Sequence, residues 1–120
     1  MNIPVLRVGG CLLVTVQVEL KDTLADAFQE DLLTALSMSP ARGLVIDISA
    51  LDFVDSYVAR IIAETGKMAQ LMGTATVLVG MRPTVAATLV RMGFRMEGVE
   101  TALNVDAGLA LIAQLRKEQR

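Results

Sequence analysis

A chain of 120 residues is long enough for one domain around one modest core. An apolar share of 53% against 20% charged residues excludes a disordered chain, and a net charge of −2 without a Lys/Arg-rich run offers nothing for nucleic acid. With no histidine and a single cysteine, Cys11, the inventory excludes histidine–cysteine metal sites, an internal disulfide and an imidazole-activated nucleophile.

The first elements are two apolar runs, Ile3–Val8 and Cys11–Val16, separated by Gly9-Gly10. Glycine supplies the positive φ of a tight turn, so the pair predicts a hairpin. Lys21-Asp22-Thr23 opens a helix, with Asp22 or Thr23 as cap. Leu24, Phe28, Leu32, Ala35 and Leu36 fall on one face, and Pro40 lies just past the end. Leu44–Ile48 is short and apolar, as a strand buried on both faces requires.

A second helix is predicted from Ser56 to the stop at Gly73. Its inner stripe is Val58, Ile61, Ile62, Thr65, Met68, Ala69 and Met72, while Arg60, Glu64 and Lys67 are spaced to pair outside it. Thr76–Val79 predicts another buried strand. Pro83 then starts a third helix with Val85, Leu89 and Met92 inward, ended by Gly93. Phe94–Val99 reads as a short edge strand. Asn104 caps a last helix that buries Val105, Leu109 and Ile112, and Arg116–Arg120 is a polar, frayed tail. The order ββαβαβα(β)α predicts a single α/β domain over residues 1–120, parallel at its centre, with an N-terminal hairpin.

No apolar run approaches the roughly 18 residues that span a bilayer, and the N-terminus lacks a signal-peptide layout, so a soluble cytoplasmic protein without a membrane partner is expected. The core must be aliphatic with methionine as filler, since aromatic residues make up 3%. So high an apolar share fits either a well-filled core or surface covered by other subunits.

The segment with chemistry is Leu44–Tyr57, where a strand runs into an acidic loop that delivers Ser56 to a helix start. The ordinary role of such a serine is to cap the helix. A capping hydroxyl also lies at the carboxyl edge of the sheet, where open α/β sheets place function, so it can equally receive a phosphate. Modification there adds about −1.5 to −2 charges. The positive helix end favours the anion by about 0.3–1 kcal/mol. Asp55 opposes it, as do Asp47 and Asp52 if the loop folds back. The host should therefore survive modification while its surface turns strongly anionic.

Asp47 is expected to accept backbone N–H bonds from the loop. A receiver-type phosphoaspartate is rejected, because no acidic pair follows the first strands and no lysine lies between Lys67 and Lys117. No phosphate-binding loop occurs, and neither a catalytic residue nor a cofactor is expected. Asp22, Asp26, Glu30 and Asp31 make the first helix acidic, whereas Arg82, Arg91 and Arg95 make the third-helix region basic. These are either ordinary solvated faces or complementary assembly surfaces centred on Asp26, Glu30, Arg82 and Arg91.

The run Val45–Ile62, V-I-D-I-S-A-L-D-F-V-D-S-Y-V-A-R-I-I, resembles the STAS domain of bacterial anti-sigma factor antagonists. Thr76–Gly93, with V-G-M-R-P-T-V-A-A-T-L-V, resembles its stressosome branch, and more narrowly the single-domain scaffolds of the RsbS type. The resemblance implies a four- to five-stranded, mostly parallel sheet with about four flanking helices and no enzymatic activity. It implies that Ser56 is phosphorylated by an RsbT-type switch kinase, that the unmodified scaffold holds this kinase, and that an RsbX-type phosphatase resets the site. RsbR-type paralogues, which carry an N-terminal sensory domain and usually a threonine at the switch, would join it in a large hetero-oligomer. Asp47, Asp52, Asp55, Tyr57 and Arg60 would form the partner-binding loop.

D-S-Y-V departs from the D-S-S-G of single-domain antagonists that bind a sigma-holding kinase directly. Stand-alone antagonism is therefore the alternative reading. A small-ligand or lipid-transport accessory STAS domain ranks below it, for want of an aromatic-lined pocket signature.

Overall fold

The computed structural model describes residues 5–16, 22–93 and 97–118. Gly9 and Gly10 both have positive φ, 56° and 83°, and reverse the chain between β1 (Val5–Val8) and β2 (Cys11–Thr15). Two successive positive φ values belong to the hairpin turn whose twist matches its strands. Val8 pairs with Cys11 and Val5 with Val14 in antiparallel register. The predicted start of this strand at Ile3 lies outside the described residues.

From β2 onward the chain alternates helix and strand: α1 (Asp22–Met38), β3 (Gly43–Asp47), α2 (Ser56–Leu71), β4 (Ala75–Val79), α3 (Pro83–Arg91), β5 (Val99–Ala102) and α4 (Val105–Glu118). The sheet order is β1-β2-β3-β4-β5, and every pairing after the hairpin is parallel. Consecutive strands lie side by side, so each crossover helix lands beside its predecessor.

The two-residue period of the strands sorts the core into two layers. Leu12, Val14, Leu44, Ile46 and Leu78 face α1, α2 and α3, where they meet Phe28, Leu32, Leu36, Val58, Ile62, Val85 and Leu89. Cys11, Val45, Val77 and Val79 face α4 and meet Ile112. That second layer is thin. A Cβ on Gly43 would come within 2.5 Å of Ile112, and one on Gly108 within 2.8 Å of Val79. Glycine at both places lets α4 lie close on the sheet.

Several expectations are corrected. Met68, Met72 and Met92 were placed in buried stripes, yet they are 40%, 43% and 41% exposed. The buried face of α2 runs through Ile62, Thr65 and Ala69, which are 1%, 0% and 0% exposed, and Met68 and Met72 fall at its margin. The edge strand begins at Val99, after the positive-φ turn at Gly98, and Phe94–Met96 lie outside the described residues. Lys67 pairs with Glu97 at 3.7 Å, not along its own helix, and among the described residues Arg60 and Glu64 form no ion pair. The tail is helical through Glu118, with Arg116 Nη1 donating to the Gly73 carbonyl at 2.9 Å. Gln119 and Arg120 lie outside the described residues. Asn104 caps α4 as expected, its Oδ1 accepting from Ala107 N at 2.9 Å. No described helix is long and apolar enough to cross a membrane.

Candidate functional site

The parallel strands end together, and the loop from β3 to α2 runs along their carboxyl edge. Two backbone bonds hold its entry: Ile48 N donates to Val79 O at 3.0 Å and Leu51 N to Ile48 O at 2.9 Å. Leu51 and Val54 are buried in the core, 1% and 3% exposed. Between and beside these anchors the chain displays Asp52, Phe53 and Ser56 to solvent. The loop is thus pinned at two apolar points, and its polar face is a fixed surface.

Asp55, and not Ser56, caps α2. Its backbone is extended, with φ −84° and ψ 175°, and its Oδ1 accepts from Val58 N at 2.8 Å. Ser56 is the first helical residue, exposed, and among the described residues its hydroxyl has no hydrogen-bond partner. The expected capping role of Ser56 therefore falls to Asp55. The aspartate satisfies the helix end, and the serine Oγ stays open to solvent beside amide groups that carry partial positive charge.

Asp47 shapes the loop as expected, with its Oδ1 accepting from Ser49 N at 2.9 Å. Gly80 closes over this turn at φ +76°, where a Cβ would stand 2.8 Å from Ser49 Cβ and 3.0 Å from Asp47 Oδ1. These residues, with Leu103 and Asn104, line an open cavity of about 340 Å³ at the same edge.

Arg82, read from sequence as an assembly residue, is engaged inside the chain. Its guanidinium pairs with the Asp52 carboxylate, and its Nε donates to Ser49 O at 2.7 Å. Thr84 Oγ1 donates to Asp52 O at 3.2 Å. The start of α3 thereby clamps the β3–α2 loop.

Tyr57 Oη donates to Asp26 Oδ1 at 2.5 Å, which fastens the start of α2 to α1. Asp26 thus joins the loop as well as the acidic helix. Glu30, Arg60 and Arg91 are exposed, with Arg60 one turn beyond Ser56 on the same helical face. Arg95 lies outside the described residues. The structure accordingly brings Asp47, Asp52, Asp55, Ser56, Tyr57, Asp26 and Arg82 into one connected edge and leaves Glu30 and Arg91 apart from it.

Sequence reasoning missed the anchors Leu51 and Val54, the clamp residues Ser49 and Thr84, and the two large apolar groups displayed here, Phe53 at 61% and Leu103 at 83% exposure. The apolar positions 48, 51, 54 and 58 carried a usable signal, since their spacing of three, three and four resembles a helical stripe inside a loop. Among the described residues no cluster of acidic or sulfur ligands could hold a metal ion.

A mostly parallel sheet with an N-terminal hairpin, four helices and a serine-bearing edge loop defines a small α/β domain class. The STAS domain family matches residues 2–118, and the chain belongs to that family. Among solved structures, it is similar to a serine-to-glutamate variant of RsbS from Moorella thermoacetica. The two share 38% identity at a TM-score of 0.84, over 98% of this chain and 99% of that one. A structure described as the molecular architecture of the stressosome, a signal integration and transduction hub, contains a chain 39% identical at a TM-score of 0.77, over 95% and 99% of the two chains.

Among curated proteins, the RsbT co-antagonist RsbRA of Bacillus subtilis is 29% identical over 71% of this chain and 31% of its own length. RsbRD of the same organism is 32% identical over 68% and 29%. The chain spans about a third of the length of these curated relatives.

Proposed function

We propose that this chain is a non-catalytic stressosome scaffold that holds an RsbT-type serine/threonine kinase in the cytoplasm and releases it when Ser56 is phosphorylated. The observation that carries the reading is the Ser56 hydroxyl, exposed at the first position of α2 while Asp55 does the capping. A kinase reaching this oxygen does not need to unfold the helix end. The added dianion lands where helix amides stabilise it and where Arg60, one turn on, can meet it. Its effect falls on whatever docks over the edge, because a partner fitted to a neutral hydroxyl now meets a desolvation and repulsion cost.

The similarity to RsbS and to RsbT co-antagonists supports both the kinase and the scaffold role. So does the choice of a serine-to-glutamate form in the Moorella structure, since glutamate imitates part of a phosphate's charge. Asp47, Asp52, Asp55 and Tyr57 then hold the docking surface in shape, RsbR-type paralogues complete the assembly, and an RsbX-type phosphatase restores the hydroxyl.

The test is to incubate the chain with an RsbT-type kinase and ATP and to map the label. One phosphate at Ser56, absent in Ser56→Ala, is expected. Ser56→Asp should fold yet lose the kinase in co-elution. Equal retention by Ser56→Asp and the parent chain would overturn the charge-release account.

A further inference from the structure

The opposite, amino-terminal edge of the sheet carries a second feature that the switch does not use. Between the hairpin and α4 lies a cavity of about 610 Å³, larger than that at the switch edge and within the range of small-molecule sites. Its floor is apolar, built from Cys11, Leu109 and Ile112. Its rim is Arg42, Arg116 and Lys117, and among the described residues no acidic side chain lines it. In a chain of net charge −2 this is a local inversion of sign.

The cations stand at the mouth: Arg42 lies over Gly10, its Cδ and Nε 3.7 Å from where a Cβ on that glycine would be, and Arg116 is held there by its Nη1 bond to the Gly73 carbonyl. Arg116 is also a wall of a neighbouring cavity of about 410 Å³, lined by polar residues including Thr74, Thr76 and Glu100. An anion held at Arg116 thus sits where apolar surroundings give way to polar ones.

We infer that this cavity binds a free, linear carboxylate amphiphile, its alkyl chain on Cys11, Leu109 and Ile112 and its carboxylate among Arg42, Arg116 and Lys117. Apolar walls reward the chain by the area they remove from water. The guanidinium groups supply the forked donors that match a carboxylate. The site is remote from Ser56, so the inference stands or falls independently of the kinase reading.

The experiment uses the full chain with methyl-labelled isoleucine and leucine, titrated with decanoate below its micelle concentration. Shifts at the Ile112 and Leu109 methyls that saturate are expected, with Ser56-edge residues such as Leu51 unmoved. Decan-1-ol and decyltrimethylammonium, which share the chain but lack the anion, should bind about tenfold more weakly or not at all. Arg42→Gln and Lys117→Gln alter only exposed side chains, and each should weaken decanoate by several-fold. Ala113→Trp should block the groove.

No methyl shift with decanoate overturns the site, and equal binding of decanol overturns the carboxylate. Shifts that appear only with phosphatidylglycerol vesicles would show a membrane surface to be the ligand and overturn the free amphiphile.

Discussion

The Tyr57 hydroxyl donates to Asp26 Oδ1 across 2.5 Å, so the residue next to Ser56 is fastened to a different helix, 31 positions earlier in the chain. The side chain is half-buried and the acceptor exposed. A hydrogen bond to a carboxylate in such a place contributes about 1 kcal/mol. Tyr57→Phe and Asp26→Ala, which remove the donor and the acceptor, should each lower unfolding free energy by about that amount in urea titrations. The double variant should cost little more than either one, because the two residues share one interaction. Additive losses would mean that the bond contributes nothing of its own.

Capping and modification fall on adjacent residues, and stability measurements separate them. Asp55→Ala removes the side chain that holds Val58 N and should cost about 1 kcal/mol, within the usual range for a lost cap. Ser56→Ala removes an exposed hydroxyl with no partner among the described residues and should stay within about 0.5 kcal/mol of the parent. Thermal melts of the two variants check the order. A larger loss from Ser56→Ala than from Asp55→Ala would return the cap to the serine.

The architecture was legible because each element repeats its signal. Gly9-Gly10 turns where two positive φ values are needed, the continuous apolar runs of β3 and β4 bury both faces, and Pro83 and Gly93 bracket α3. The position of Ser56 was legible for the same reason, through the change from strand to helical period. What stayed hidden depends on contacts between distant segments. Nothing local to Arg82 says that it closes on Asp52, 30 residues earlier, and nothing local to Tyr57 points to Asp26. The cap was assigned one residue late because Asp55 and Ser56 are both good capping residues, and only the extended backbone of Asp55 decides between them.

These contacts change how the proposed assembly faces must be tested. Reversing Asp26 or Arg82 would disturb the loop itself, through Tyr57 or Asp52. Glu30 and Arg91 are exposed, and among the described residues neither forms an ion pair, so their charges can be inverted cleanly. If acidic α1 meets basic α3 of another subunit, Glu30→Lys and Arg91→Glu should each reduce the sedimentation coefficient of the assembly formed with an RsbR-type paralogue. The effect should grow as salt is lowered. Joining the two variants should restore part of it. Sedimentation unchanged in both would leave these charges as solvated faces.

Cys11 gives the fold a pH dependence whose sign follows from its place in the thin layer under α4. Burial raises its thiol pKa, against smaller opposing effects from a Gly43 backbone hydrogen bond and the Arg42 and Arg116 charges. The folded state therefore keeps this proton at a pH where the unfolded chain has begun to lose it. Since stability falls with pH wherever the folded state binds more protons, the contribution is fully present below the unfolded thiol value, near 8.5 in ordinary peptides. It is lost as the pH climbs from there through the raised folded value. Melting temperatures of the parent chain should decline across that alkaline window. Cys11→Ala, less stable at every pH because it leaves a gap against Ile112, should decline less steeply than the parent. The same shift predicts slow alkylation by iodoacetamide at neutral pH, since the thiolate is the reacting form and this thiol is both protonated and buried. Parallel pH profiles for the two proteins, or rapid labelling of the folded parent at pH 7, would show that burial does not hold this thiol in its protonated form.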